Sequence, residues 1–337
     1  MAKTQIGNEA ILKVIDLDAG YAIKHKNKLV KFVHAVDNVS LEIRPNRITG
    51  IAGESGCGKS TLAKVIYGAI EPPLEVKRGS VLLKISDEYK DLLKMSRAYI
   101  SRNIWWKFIS YIPQNSMNVL NPMKRIKSIF TEISKFHGLE VDEEDVVKYI
   151  KEMFKAFGIP AEAINAYPHQ LSGGMRQRVV IALALMFNPS VVIADEPTTA
   201  VDVVTQLGIL TALKEWQKEK KTTMIIISHD MGVHAYMDDD IAVMYAGNIV
   251  EKGSVEDVFE EPLHPYTKLL ISSLIRKGEK EFKWGISGSP PDLSNPPPGC
   301  RFHPRCPYAM ERCRREKPPI TTIDKDRIVS CWLYEKG

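Results

Sequence analysis

Ile48-Thr-Gly-Ile-Ala52-Gly53-Glu54-Ser55-Gly56-Cys57-Gly58-Lys59-Ser60-Thr61 decides how this chain is read. A strand-like run over Ile48–Ala52 enters a glycine-rich loop, and the loop opens a helix predicted over Lys59–Ile70. The loop matches G-x-x-x-x-G-K-[ST] in the strand–loop–helix setting that motif requires. Glycines are needed because backbone N–H groups must curl inward around phosphate oxygens with no Cβ in the way. The helix N-terminus adds positive partial charge where the anion sits. Gly53 to Thr61 are thus the candidate nucleotide-binding residues. Lys59 is placed to reach the β and γ phosphates, and the Ser60 hydroxyl to ligate Mg²⁺. Cys57 reads as a small filler residue within the loop.

Outward from the loop, short β-branched runs alternate with longer helical stretches up to about residue 261. Phe108–Ile112, Val191–Ala194, Met224–Ser228 and Ile241–Tyr245 read as strands, several apolar throughout, as a sheet covered on both faces requires. Met175–Phe187 and Val203–Lys218 have helical length and spacing. This alternation predicts an α/β core with mostly parallel strands. Residues 115–168 break it. Ile126–Phe136 and Asp142–Phe157 read as successive helices, with Asp142 as a cap and Glu143, Glu144 and Asp145 in the first turn. The stretch is therefore a helical insertion between two halves of the core.

Val191-Val-Ile-Ala-Asp195-Glu196 ends a buried strand in two carboxylates, at the sheet edge where open α/β sheets bind ligands. Asp195 suits Mg²⁺, which takes a few carboxylates beside water and phosphate oxygens. Glu196 is positioned as general base on an attacking water.

The whole chain has 337 residues, 46 Lys+Arg and 41 Asp+Glu, an ordinary globular composition that excludes disorder, collagen and coiled coil as global descriptions. No apolar run approaches the roughly 18 residues of a membrane span; Val179–Phe187 is nine residues long. The start, MAKTQIGNEA, lacks an apolar signal core, so a soluble, cytoplasmic chain is expected. Residues 262–337 differ in kind: 14 Lys+Arg against 8 Asp+Glu, 11 of the 20 prolines and four of the five cysteines. A basic excess of this size raises nucleic acid as a partner, beside the simpler reading of a solvated tail.

Leu171-Ser172-Gly173-Gly174-Met175-Arg-Gln-Arg178 stands 20 residues before the acidic strand. Ser172, two glycines and a helix start would make a second anion site. The segment resembles the signature of the ATP-binding cassette (ABC) family, in the order and at about the distance that family shows. The resemblance covers roughly residues 10–260. It implies ATP as the nucleotide, a mostly parallel core sheet, an antiparallel N-terminal β subdomain and a helical subdomain over about 115–188. It also implies that Leu171–Gly174 binds the γ-phosphate of a nucleotide held by an opposite subunit. Gln114 corresponds to the glutamine that senses Mg²⁺ and links to the membrane partner, Asp202 to the loop communicating across the dimer, and His229 to the switch histidine. Tyr21 is the candidate for stacking on adenine, with Phe32 also available. Both Glu196 and His229 are present, so the resemblance implies an active site rather than a degenerate one.

The tail adds a second resemblance. Glu261-Pro-Leu-His-Pro265-Tyr-Thr-Lys begins a short helix, with Pro265 near its first position. Ser287-Gly-Ser-Pro-Pro-Asp and then Pro296-Pro-Pro-Gly-Cys300-Arg-Phe-His-Pro-Arg-Cys306-Pro follow, with Cys313 and Cys331 beyond. This resembles the C-terminal extension of ATPase subunits in oligopeptide/dipeptide ABC importers, dividing the chain into a cassette (1–261) and an irregular extension (262–337). Family members with this cysteine set are associated with a 4Fe–4S cluster, which implies Cys300, Cys306, Cys313 and Cys331 as ligands. Four thiolates suit that cluster. Zinc also accepts four cysteines, although the C-x5-C-x6-C-x17-C spacing lacks the usual close pairs, and a reducing cytoplasm disfavours disulfides. An anionic cluster would let Arg301, Arg305, Arg312, Arg314 and Arg315 offset its charge, which removes the reason to invoke nucleic acid.

The resemblance further implies a peripheral subunit at the cytoplasmic face of the membrane. Its partners would be a second, related ATPase (a homodimer being the alternative), two membrane-spanning permeases and, indirectly, an extracytoplasmic solute-binding protein. Peptides are the expected cargo, with oligosaccharide or nickel as alternatives. A soluble ABC ATPase acting on nucleic acid or ribosomes is the rival. One cassette and the importer-type cysteine tail speak against it.

Overall fold

The computed structural model describes residues 9–26, 28–114, 119–138, 142–199, 201–273 and 286–335. The chain folds as two compact units, Met1–Lys94 with Ile227–Gly337, and Met95–Ile226.

The first unit carries an antiparallel sheet in the order Lys28–Ile43, Leu12–His25, Leu74–Ile85, Glu88–Asp91, the N-terminal β subdomain expected from the resemblance. Leu12, Val14, Leu17 and Ala19 are all buried. Their spacing is not strictly two because the register shifts between Val14 and Leu17 and again before Ala19. Asp16 lies in this irregularity at φ 44. An extra residue in a bulge breaks the alternation by which a half-buried strand is recognised, so this edge of the fold has a weak sequence signal.

Ile48–Ala52 is buried at all five residues and pairs in parallel with Asp240–Tyr245, buried at all six. Asp240–Tyr245 pairs antiparallel with Asn248–Ser254. The helix Lys59–Tyr67 leaves Gly58 and ends at Gly68, left-handed at φ 76, whose N–H bonds back to Lys64 and Val65. A glycine C-cap stops the helix three residues short of the predicted Ile70.

The C-terminal extension is irregular, as expected, yet it is not set apart. Ile328–Val329 pairs with Glu251 and Lys252, and Thr321–Thr322 pairs with Ile328–Val329. Phe302 is buried in one cluster with Ile241, Val243, Tyr245 and Tyr266. Pro265 opens a helix that runs to Ser272.

In the second unit Ile109–Ile112 pairs in parallel with Val191–Asp195. Its described helices include Ile126–Phe136, Glu143–Ala156, Gly173–Ala184 and Val203–Lys220, close to their predicted bounds. Phe130 and Phe154 pack edge to face at 6.4 Å between the first two. Residues 115–118, the start of the predicted helical subdomain, lie outside the described residues. Asp142 occupies the N-cap position, but its side chain makes no capping hydrogen bond. The acidic first turn favours that helix start through the helix dipole instead, and Glu143 within it pairs with Lys127. Among the described residues no helix is long and apolar enough to cross a membrane.

Candidate functional site

In the first unit the loop after Ile48–Ala52 has Gly53, Gly56 and Gly58 at φ 149, 79 and 109. At Gly58 a Cβ would lie 1.9 Å from the carbonyl oxygen of Ala35, so the loop passes that backbone more closely than a side chain allows. Gly247 donates its N–H to Cys57 O at 2.8 Å, and Glu54 N–H donates to the Tyr266 hydroxyl at 2.9 Å. The Lys59 ammonium is buried and donates to Gly53 O at 2.7 Å and Glu54 O at 2.9 Å. Cys57 is buried beside it, and burial pushes its thiol up, in keeping with a filler role.

The Tyr21 hydroxyl lies 3.1 Å from Thr61 Oγ1, at the start of the loop's helix. Phe32 instead carries the Lys77 ammonium 4.8 Å from its ring centroid. Of the two aromatic candidates, the structure brings Tyr21 to the phosphate-binding loop.

His229 follows Thr223–Ser228 and is exposed. The residue before it is held tightly: Ser228 Oγ accepts from Asp230 N–H at 3.0 Å, and Ser228 O accepts from His234 Nε2 at 3.1 Å. His234 is fully buried, and its Nδ1 shares a 2.6 Å hydrogen bond with Asp238. Gly50 makes room for this pair, since a Cβ there would lie 1.7 Å from Asp238 Oδ2. The sequence reading missed His234. Its signal is modest: a histidine five residues after His229 and one helical turn before an aspartate. Replacing His234 with Ala leaves a buried carboxylate without its imidazole and is expected to destabilise the protein by about 3 kcal/mol, read as a lowered urea midpoint.

The second unit holds the acidic pair. Asp195 is buried and accepts from the Tyr111 hydroxyl at 2.8 Å. Glu196 has φ 47, a left-handed conformation that a non-glycine residue adopts at some cost. Its Oε2 accepts from Gln114 Nε2 at 2.8 Å and from Thr199 Oγ1 at 2.9 Å. With its amide nitrogen committed to Glu196, Gln114 keeps its carbonyl oxygen as an acceptor or cation ligand. Tyr111 and Thr199 are partners that no sequence motif flagged.

Leu171 is buried, and Ser172 caps Gly173–Ala184, its hydroxyl accepting from Met175 N–H at 3.2 Å. Gly174 faces Thr205, where a Cβ would come within 2.9 Å of Cγ2. Asp202 caps Val203–Lys220, accepting from Thr205 N–H at 3.0 Å and from its hydroxyl at 2.7 Å, and these bonds hold its carboxyl below the usual range.

The four tail cysteines are brought together. Cys300, Cys306, Cys313 and Cys331 line one small cavity with Phe302 and Trp332, and all four are free thiols. Cys300 N–H donates to Cys313 O at 2.8 Å. Burial pushes the Cys300 thiol up to about 11, and those of Cys306 and Cys331 upward as well. Among the described residues no group of three or more His, Cys, Asp and Glu side chains is placed to hold a metal ion. The arginines expected to offset a cluster have other partners: Arg301 pairs with Asp37, Arg305 with Glu54, Arg312 with Glu316 and Glu335, and Arg314 and Arg315 with Glu311. Their charge is neutralised locally by carboxylates.

The inward-curling loop with a buried lysine, and the strand ending in Asp195 and Glu196, define a P-loop ATPase. The chain belongs to the ABC transporter family: the model of that family matches residues 36–199, and that of the C-terminal region of oligopeptide/dipeptide transporters matches residues 250–313. It is 42% identical to a dipeptide transport ATP-binding protein of Caldanaerobacter subterraneus subsp. tengcongensis, over 97% of this chain and 98% of that one. It is also 42% identical to an oligopeptide transport ATP-binding protein of Bacillus subtilis, over 89% of this chain and 84% of that one. Among solved structures, the dimeric post-hydrolysis form of the cassette MJ0796, bound to ADP and Pi, matches with TM-score 0.63 at 25% identity, covering 72% of this chain and 98% of that one.

Proposed function

We propose that this chain is the ATPase subunit that powers uptake of peptides through an ABC importer, working from the cytoplasmic face of the membrane. The observation that carries this reading is the match of residues 250–313 to the C-terminal region of oligopeptide/dipeptide transporters. The similarity to dipeptide and oligopeptide transport ATP-binding proteins over most of the chain supports it. The division into a cassette over residues 1–261 and an extension over 262–337 belongs to the same proposal.

ATP would lie with its phosphates on Gly53 to Thr61 and its adenine on Tyr21. Ser60, Gln114 and Asp195 would hold Mg²⁺, which supplies charge neutralisation at the phosphates when bound. Glu196 takes the proton of the attacking water, and His229 orients the γ-phosphate. The tight hydrogen bonding of Ser228 supports a fixed origin for the His229 side chain. Leu171, Ser172, Gly173, Gly174 and Asp202 act on the nucleotide of an opposite cassette. That cassette is a second, related ATPase rather than an identical copy, and the pair drives two permease subunits supplied by a solute-binding protein. Reconstituted with permeases and binding protein in proteoliposomes, the complex is expected to hydrolyse ATP faster when the binding protein carries peptide. Stimulation by an oligosaccharide or nickel instead would overturn the peptide assignment.

The donor chemistry of Cys300, Cys306, Cys313 and Cys331, four free thiols lining one cavity, supports a 4Fe–4S cluster as the group they would hold. The cluster would cross-link a proline-rich segment that contributes few core residues of its own. Anaerobic purification should yield a brown protein with about four iron and four sulfide per chain, and Cys313→Ser should lose both. A colourless protein with stoichiometric zinc would reject the cluster.

A further inference from the structure

The described extension reaches the phosphate-binding loop through Tyr266, whose hydroxyl accepts from Glu54 N–H, and through Arg305, which meets the Glu54 carboxylate. Arg305 stands between Cys300 and Cys306 at the end of the single turn His303–Arg305. Its position is set on both sides. Cys300 O accepts from His303 N–H and from His303 Nδ1, both at 2.9 Å, and Phe302 O accepts from Arg305 N–H at 3.0 Å. Phe302 itself is buried against Tyr245 and Tyr266, with ring centroids 5.1 and 5.4 Å away.

From this anchored turn the guanidinium meets Glu54 in a two-pronged ion pair, Nη1 to Oε2 at 2.7 Å and Nη2 to Oε1 at 3.0 Å. The remaining donors are committed as well: Nε gives to Ser287 O at 2.9 Å, and the Nη groups also reach Tyr245 Oη and Ile286 O at 3.3 Å. The Arg305 side chain is 5% exposed and that of Glu54 25%. A planar fork in this setting fixes direction as well as charge.

Glu54 is an unusual partner because it lies inside the loop that must receive a triphosphate. Its N–H is held by Tyr266, and its carbonyl holds Lys59 at 2.9 Å, so moving Glu54 moves the phosphate-binding lysine. Its carboxylate is an anion where an anionic ligand binds, and without a partner it would repel that ligand through partly desolvated surroundings.

We propose that Arg305 is a positioning residue of the nucleotide site: from the cysteine-bearing segment it neutralises Glu54 and holds the phosphate-binding loop in shape, so that order in the extension and nucleotide affinity are energetically linked. Linkage is reciprocal, so bound nucleotide stabilises the extension to the same degree. The inference rests on the loop being the ATP site.

The test is equilibrium binding of a fluorescent ATP analogue with Mg²⁺ to the full chain, in wild type, R305Q, R305K, E54Q and the double variant E54Q/R305Q. Wild type binding no nucleotide would reject the ATP-site reading itself, before any variant is compared. With wild type binding, R305Q is expected to weaken affinity at least about tenfold, a change of 1.4 kcal/mol. R305K, which keeps the charge but loses the fork, should fall between. In the double variant the repelling carboxylate is gone, and affinity should return to within about threefold of E54Q alone. A general loosening of the extension would not be relieved by changing Glu54. R305Q binding within twofold of wild type, or a loss that E54Q leaves in place, would overturn the proposal. Should R305Q fail to fold, unchanged affinity in R305K would overturn it equally.

Discussion

Glu196→Gln is expected to bind Mg-ATP with near-wild-type affinity while its steady-state hydrolysis falls by at least about 100-fold, the range general-base catalysis supplies. Glu196 directly follows Val191–Asp195 and sits at φ 47, a strain the chain retains although glycine would relieve it. Its side chain is aimed by two donors, Gln114 and Thr199. Glutamine has nearly the same shape and can keep one of those bonds, so the site should survive the exchange. What it loses is the ability to accept a proton from water. Binding titration and phosphate release, measured on one preparation, separate the two effects. Turnover close to wild type would reject Glu196 as the base.

Gly58→Ala should instead abolish binding. The added Cβ would fall 1.9 Å from Ala35 O and 2.9 Å from Met244 Cε, and φ 109 is closed to side-chain-bearing residues. The obstacle at Ala35 is main chain, which cannot swing aside as a side-chain tip can. Either the loop or the strand Lys28–Ile43 must move. Nucleotide affinity should fall more than about 100-fold, with a stability loss of at least about 3 kcal/mol, the upper range for backbone strain. Gly56→Ala is the internal comparison for stability. Its Cβ would meet nothing within 4 Å, so only the left-handed strain of about 1–2 kcal/mol applies. Equal urea midpoints for the two variants would show that the close approach at Ala35 is not the constraint.

The phosphate-binding loop and the acidic strand were legible because each is built from consecutive residues whose types are dictated by local geometry. Gly53, Gly56 and Gly58 do adopt the positive φ values that the motif requires. Apolar runs such as Val191–Ala194 were legible for a similar reason: a strand covered on both faces has no polar alternation to obscure it. Less was visible where geometry departs from a period. The shifts near Asp16 hide Leu12–His25, and the cap expected from Asp142 is one of position only. The arginine-rich tail was misjudged for want of partners. Counting residues shows a charge balance of +6 over 262–337, but not that Asp37 and Glu54 take up Arg301 and Arg305.

The sequence by itself determined the chemistry: a loop that must wrap phosphate, carboxylates at a strand end, a serine with two glycines at a helix start at Ser172 and four thiols at spacings unlike those of a zinc ribbon. Those features are local, and local sterics and hydrogen bonding are read from neighbouring residues. Only the tertiary structure decided what the tail is attached to. Glu54 and Arg305 are 251 residues apart, and Ser228 is held by a histidine a turn into the next helix. Contacts of that kind depend on the path of the whole chain and on the burial of Phe302 among Tyr245 and Tyr266, which brings the fork of Arg305 to the glycine-rich loop at Glu54.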